Sequence, residues 1–170
     1  LVPYKRFDLI MEAFRGMPDK KLIVIGDGPD ADKIRNLATA NIQWLGYQNT
    51  EVLREYMQNA RAFIFAAKED FGITPLEAQS CGTPVIAFRG GGAAETIRGL
   101  DHAMPSGVFF LEQTSRAIQE AVQVFESVSE KIEPQACRNN AERFSNLRFK
   151  HEFGEQLHKK WSDFQKRNLA

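Results

Sequence analysis

Short apolar segments alternate with amphipathic segments along this chain, and the alternation limits the fold more than any other feature of the sequence. Five segments have the length and apolar character of strands: residues 21–25, 42–45, 61–66, 84–87 and 107–110. Strands that are apolar along their whole length are typical of parallel sheets with both faces covered by helices. We therefore predict one α/β domain with a parallel sheet, helices on both faces and a ligand site at the carboxyl ends of the strands.

The composition excludes several classes of protein. The chain has 170 residues, of which 43% are hydrophobic and 26% are charged, as in an ordinary globular domain. Its formal net charge is zero, so we expect no nucleic-acid partner. Cys81 and Cys137 form no CxxC or Cys/His cluster, which argues against a metal site and favours a cytoplasmic protein. No apolar run is long enough to predict a membrane-spanning segment.

The third predicted strand is joined to a helix by the segment Glu69-Asp-Phe-Gly-Ile-Thr-Pro-Leu-Glu77. We predict Thr74 as the N-cap, Pro75 as the first helical residue, and Thr74 with Glu77 as a capping box. Free N–H groups at a helix start attract anions, so we expect a phosphate beside Pro75, Leu76 and Glu77. Two carboxylates beside an anion site indicate a ligand with a charged centre and hydroxyl-bearing ends, such as a nucleotide sugar. The alternative is that Glu77 only caps its helix and Glu69 is a solvated loop residue.

A longer pattern surrounds this segment. The first Glu is followed by Phe-Gly, and the second begins the run Glu-Ala-x-x-x-Gly-x-Pro-Val-Ile-Ala, so that the pattern covers residues 69–87. It resembles the donor-binding motif of family 4 glycosyltransferases, which have the GT-B fold. The resemblance implies a Rossmann-like domain over residues 1–170 with additional C-terminal helices, forming the nucleotide-sugar-binding half of a GT-B enzyme. It also implies an N-terminal acceptor domain and a first, central strand that precede Leu1.

The resemblance assigns the catalytic centre to Glu69, which would lie against the donor sugar, and to Lys5, which would bind the donor diphosphate. A family arginine that binds the same diphosphate would precede Leu1. Donor binding is assigned to residues of three loops: Glu77, Phe71, Gly72, Ile73, Leu76, Gly26, Gly28, Leu45 and Tyr47. Among these, Glu77 would bind the ribose hydroxyls, the backbone of residues 71–73 the sugar, and the backbone of residues 45–47 the nucleobase. Without the resemblance, Lys5 would be a solvated lysine at a helix end.

Two glycine-containing loops each allow two interpretations. Gly26 and Gly28 follow the first predicted strand and favour a tight turn, although in the resembling enzymes this loop faces the donor. Gly90, Gly91 and Gly92 permit a close approach of the backbone, either to a ligand or within a sharp turn.

Two helices are predicted near the C-terminus, at residues 134–144 and 149–166. The second has an apolar stripe of Phe153, Leu157, Trp161 and Phe164 at helical spacing. Such a stripe packs either in the core or against another domain. In the resembling enzymes, the last helix crosses back to the N-terminal domain.

The implied activity is that of a retaining glycosyltransferase, which moves a hexose from a nucleotide diphosphate sugar to an acceptor glycan or lipid-linked sugar in polysaccharide biosynthesis. Residues 69–79 resemble bacterial mannosyltransferases, which makes GDP-mannose the first donor candidate and a UDP-hexose the second. The sequence has no Asp-x-Asp motif, in agreement with a metal-independent reaction without a cofactor. We expect residues 1–170 alone to be inactive, and the full-length protein to be cytoplasmic with peripheral membrane contact through its N-terminal domain. The alternatives are a sugar-nucleotide-binding module without transferase activity and a structural α/β interaction domain.

Overall fold

The structure is a computed structural model that describes residues 1–168, apart from the side chains of residues 34 and 168. Its strands are β1 (Leu22–Val24), β2 (Ile42–Trp44), β3 (Phe63–Phe65), β4 (Val85–Phe88) and β5 (Gly107–Phe110). Its helices are α1 (Phe7–Arg15), α2 (Ala31–Arg35), α3 (Thr50–Asn59), α4 (Ile73–Ser80), α5 (Ala93–Thr96), α6 (Ser115–Val128), α7 (Pro134–Glu142) and α8 (Asn146–Asn168). The α/β class is confirmed, and every predicted strand is present with its ends within two residues of the prediction.

All strand pairs among the described residues are parallel, as predicted, but they form two sheets instead of one. Strand β1 pairs with β2, with Leu22 opposite Ile42. Strands β3, β4 and β5 form the second sheet in that order, with Ile86 of β4 between Ile64 and Val108. No described strand joins β1 to β3, so each of these two strands is paired on one side only.

The alternating side chains of β4 connect the two halves of the core. Ile86 points into a cluster with α1 and α6, where Met11 and Ile118 are fully buried. Val85 and Ala87 point the other way, into a cluster with α3, α4 and α5. Because a strand projects successive side chains to opposite faces, this alternation requires helices on both sides of the sheet, and the prediction of that arrangement is confirmed.

A short helical turn precedes α1 and is separated from it by an interruption. Residues Pro3–Lys5 form a short 3-10 turn, and Arg6 then adopts a left-handed conformation with φ of 54° before α1 begins. The Arg6 guanidinium donates two hydrogen bonds of 3.2 Å to the carboxylate of Asp8. The interruption places Lys5 outside α1, on the turn that leads into it.

The last helix, α8, lies on the surface of the described domain. Its apolar stripe is exposed: Phe153 and Trp161 each retain 57% of their accessible surface. Packing in the core is therefore excluded as the role of these two side chains. Among residues 1–168, no helix is long and apolar enough to cross a membrane.

Candidate functional site

A lysine and a glutamate that are 64 positions apart meet beyond the carboxyl end of β3. The Nζ atom of Lys5 lies 2.5 Å from Oε1 of Glu69, and the two side chains are 28% and 17% exposed. Oε1 is buried, and apart from its ion pair with Lys5 it has no hydrogen-bond partner among the described residues. The Lys5 ammonium is also 5.6 Å from the centre of the Tyr4 ring. Glu69 is thus a half-buried, ion-paired residue, and its interpretation as a solvated loop residue is wrong.

This ion pair lies at the wall of an open cavity of about 610 Å³. The cavity is lined by residues of the first turn and of the loop after β3: Tyr4, Lys5, Lys68, Glu69, Asp70, Phe71, Gly72, Ile73 and Thr74. Five predicted site residues are therefore brought together here. Phe71 is half exposed, and its ring packs edge-to-face on Phe144 with 5.9 Å between the ring centres.

The start of α4 differs from the prediction. The helix begins at Ile73, and its N-cap is Gly72, which has φ of +80° and no side chain to cap the helix. The capping box of Thr74 and Glu77 is therefore wrong, because Gly72 reverses the chain two residues earlier than predicted. Since the first four N–H positions of a helix, counted from the N-cap, are free and Pro75 has no N–H, the free donors belong to Gly72, Ile73 and Thr74. The predicted anion site therefore moves toward Gly72.

Glu77 lies in the second turn of α4 and is exposed. Its carboxylate makes no capping hydrogen bond, so the interpretation of Glu77 as a helix cap is wrong as well. Glu77 and Leu76 do not line the 610 Å³ cavity. An exposed carboxylate without a capping role remains available to a ligand that extends along α4.

The triple glycine packs against the loop that carries Glu69. Residues Gly91 and Glu69 form a parallel bridge, and the N–H of Gly92 donates a 2.8 Å hydrogen bond to the Glu69 carbonyl. A Cβ atom on Gly91 would lie 2.1 Å from that carbonyl oxygen, and one on Gly92 would lie 2.4 Å from Cα of Phe71. The close approach is therefore made to the backbone of the neighbouring loop, which accounts for both glycines without a ligand.

The remaining predicted donor residues lie on the loops after β1 and β2, outside the 610 Å³ cavity. These two loops are joined to each other: the N–H of Gly26 donates to the carbonyl of Gly46 at 2.8 Å. Leu45 is partly buried, whereas Tyr47 is 79% exposed. A Cβ atom on Gly28 would lie 2.3 Å from the backbone nitrogen of Leu1, so this glycine makes room for the backbone of Leu1.

A buried polar network behind the site was not predicted. The side-chain amide of Asn140, on α7, donates to Oε1 of Gln79 at 2.6 Å, to the carbonyl of Thr96 at 2.8 Å and to the hydroxyl of Ser106 at 3.3 Å. All four residues are at most 1% exposed. Because Gln79 belongs to α4, the network fixes that helix to α5, α7 and the start of β5. A sequence signal existed, since Asn140 falls on the apolar face of α7 beside Ala136, Cys137 and Ala141.

Neither Cys81 nor Cys137 has an activated thiol. Burial raises the pKa of the Cys137 thiol to about 11 and also raises the pKa of Cys81. Both cysteines are therefore protonated at neutral pH and act as packing residues. Burial alone would raise the pKa of Asp8, but the hydrogen bond and charge of Arg6 outweigh it and keep that pKa below its usual value.

The fold belongs to a known class of enzymes. It is similar to sucrose-phosphate synthase from Thermosynechococcus elongatus, with a TM-score of 0.79 and 21% identity over 95% of this chain and 44% of that chain. It is also similar to HepE from Anabaena in complex with UDP and glucose, with a TM-score of 0.76 and 22% identity over 93% of this chain and 46% of that chain. The chain therefore has the α/β fold of the GT-B glycosyltransferases.

The sequence defines the family. The family model for glycosyl transferases group 1 matches residues 1–144, and the chain belongs to this family. A relative from Corynebacterium glutamicum, a GDP-mannose-dependent monoacylated alpha-(1-6)-phosphatidylinositol monomannoside mannosyltransferase, is 35% identical over 112 residues. That match covers 57% of this chain and 29% of the relative, so the chain spans less than a third of that protein's length.

Proposed function

We propose that the full-length protein transfers a hexose from a nucleotide diphosphate sugar to an acceptor, with retention of anomeric configuration. The observation that supports this most directly is the position of Lys5 and Glu69, side by side in the open cavity at the start of α4. The cavity thus offers a cation and free N–H donors for a diphosphate, and a carboxylate for hydroxyl groups. These are the chemical requirements of a sugar diphosphate donor.

In the proposed reaction, Lys5 and the free N–H groups at the start of α4, near Leu76, hold the donor diphosphate. Negative charge grows on this group as the glycosidic bond breaks, and fixed donors stabilise such charge best in the transition state. Glu69 accepts hydrogen bonds from the donor sugar. Its position at the wall of the open cavity supports this role, because a ligand hydroxyl in the cavity can donate to the carboxylate.

The nucleoside is proposed to extend along α4 and across the loops after β1 and β2. Glu77 would accept hydrogen bonds from the ribose hydroxyls, and the backbone around Leu45 and Tyr47 would frame the base. The carboxylate of Glu77 supports this position, because it is exposed and does not cap α4. The loop that carries Gly26 is proposed to face the donor. Gly28, on the same loop, is accounted for by its close contact with the backbone of Leu1.

The donor is proposed to be GDP-mannose, with a UDP-hexose as the second candidate. The corynebacterial relative is named as GDP-mannose-dependent. The HepE structure contains UDP and glucose, which supports the second candidate. The acceptor is proposed to be a glycan or lipid-linked sugar, and the reaction to need neither metal nor cofactor.

The acceptor site is proposed to lie on an N-terminal domain, so residues 1–170 alone would be inactive in transfer. A central strand of the full-length protein is proposed to pair with β1 and β3, whose free edges support this position. The exposed stripe of α8 would pack on the N-terminal domain. We place the protein in the cytoplasm, with any membrane contact made through that domain.

Calorimetric titration of the full-length protein with GDP, UDP, GDP-mannose and UDP-glucose tests the proposal. We expect one nucleotide to bind, and Glu77→Ala to weaken it by about 1–3 kcal/mol, as for a lost hydrogen bond to a charged group. Glu12→Ala, which removes an exposed glutamate from α1, is the matched control and should leave the affinity unchanged. Absence of binding by the folded protein rejects the proposal. Binding without transfer to any acceptor would favour the sugar-nucleotide-binding module.

A further inference from the structure

The proposed function gives separate tasks to two groups that contact each other in the structure. Lys5 is proposed to bind the diphosphate and Glu69 to bind the sugar, yet Nζ of Lys5 lies 2.5 Å from Oε1 of Glu69. Oε1 is buried where it faces the ammonium. A sugar hydroxyl therefore cannot reach this oxygen while the lysine remains in place.

We propose that Glu69 is the counter-ion that Lys5 exchanges for the diphosphate of the donor, so that diphosphate binding uncovers Glu69 for the sugar. This inference rests on the proposed function. It makes the Lys5–Glu69 pair a determinant of specificity, because only a ligand that carries an anion able to replace the carboxylate opens the sugar site. A free hexose lacks that anion and is excluded.

The structure indicates which partner moves. The loop of Glu69 is held by the bridge to Gly91 and by the hydrogen bond from Gly92, and neither glycine has room for a Cβ atom. Lys5 instead has a flexible four-carbon side chain on a short turn, beside the open cavity and the exposed ring of Tyr4. The ammonium is therefore the mobile partner, and the carboxylate stays in place.

The exchange has a consequence for affinity. In the wild-type protein a nucleoside diphosphate must displace the Glu69 carboxylate from Lys5 before it gains the full attraction of the ammonium. Glu69→Gln keeps the size of the side chain but removes the competing charge. It should therefore tighten the binding of a nucleoside diphosphate, although it removes a group that is proposed to act in the reaction.

The test is titration of the full-length protein with GDP and UDP, using wild type, Glu69→Gln, Lys5→Met and the double variant. We expect Glu69→Gln to bind the nucleotide about fivefold more tightly, the factor at the upper end of the range for solvent-exposed ion pairs. Lys5→Met should bind more weakly than wild type. The double variant should match Lys5→Met, because removal of the carboxylate helps only when the lysine is present.

Asp70→Asn is the matched control, because Asp70 lines the same cavity but has no ion pair with a described residue. The inference would be overturned if Asp70→Asn tightened nucleotide binding as much as Glu69→Gln does. It would also be overturned if Glu69→Gln tightened binding equally in the presence and absence of Lys5. Either result would show a general effect of charge. Unchanged or weaker binding by Glu69→Gln, with a wild type that binds, would also overturn it and leave the proposed function intact. If neither the wild-type protein nor Glu69→Gln binds a nucleotide while both are folded, the proposed function itself fails.

Discussion

Replacement of Gly91 by alanine should separate two costs that glycine avoids at this position. Gly91 has φ of +60°, a backbone conformation that disfavours any side chain, and its Cβ atom would lie 2.1 Å from the carbonyl oxygen of Glu69. Gly46 has nearly the same conformation, with φ of +66°, but a Cβ atom there would have no atom within 4 Å. The pair of variants Gly91→Ala and Gly46→Ala therefore differs in the steric contact alone.

The expected magnitudes follow from these distances. The left-handed conformation costs alanine about 1–2 kcal/mol at both positions. At Gly91, the new Cβ must also move about 1.3 Å to reach an ordinary contact of 3.4 Å with the Glu69 carbonyl. Overpacking of this kind costs about 1–3 kcal/mol, and loss of the hydrogen bond from Gly92 adds about 1 kcal/mol. Gly91→Ala should therefore be less stable than Gly46→Ala by about 2–4 kcal/mol.

Urea unfolding of the full-length protein measures the free energy of unfolding of both variants. A second measurement, the rate of sugar transfer by Gly91→Ala, examines the site itself. A shift of about 1 Å in a catalytic group can lower a rate about 100-fold, so we expect transfer to fall by that order while the protein remains folded. Equal unfolding free energies for the two variants would refute the reasoning, because they would show that Gly91 does not press on the Glu69 loop.

Two further predictions concern stability. Asn140→Leu should lower the free energy of unfolding by about 2–4 kcal/mol, because it leaves the buried acceptors of Gln79, Thr96 and Ser106 short of a donor. Urea unfolding measures this change. The control is Asn139→Ala at the exposed neighbouring position, which should change the free energy of unfolding by less than about 0.5 kcal/mol. Gly154→Ala should raise the free energy of unfolding by about 0.5–1 kcal/mol, because Gly154 lies inside α8 and its Cβ would meet no atom within 4 Å; a decrease in thermal unfolding temperature would contradict this.

Much of the fold could be predicted because burial on both faces makes most of the strands uninterrupted apolar runs, with β2 and its exposed Gln43 as the exception. The amphipathic pattern of α6 is a further guide to the fold, since Ile118, Ala121, Val122 and Phe125 recur at helical spacing and are all buried. The start of α4 could not be predicted from side-chain propensity. Thr74 and Pro75 are favourable residues for a helix start, but Gly72 begins the helix earlier through a backbone conformation that the sequence shows only as a glycine.

The site was predicted as a set of residues, but the contacts within it were not. Glu69 and Lys5 were each assigned to the catalytic centre through the family resemblance, and nothing in the local sequence of either residue predicts that they form an ion pair. The network around Asn140 was missed for the same reason: its four members, Asn140 included, come from four separate segments of the chain. Contacts between distant segments depend on how the helices pack, which periodicity does not determine.

The structural requirements of the fold do not account for the two glutamates. Glu77 neither caps α4 nor lies in the core. Glu69 does contact Lys5, but a half-buried ion pair that leaves an oxygen without a hydrogen bond is a poor source of stability, because removal of charge from water offsets much of the attraction. A domain selected only for packing would gain more from apolar side chains at positions 5 and 69 than from this pair. The loop is instead held by its backbone, through Gly91 and Gly92, so the Glu69 side chain is not needed to fix it. This division of tasks, with the backbone fixing the loop and the charged side chains unused by the fold, is what a binding site for a charged, hydroxyl-rich ligand requires.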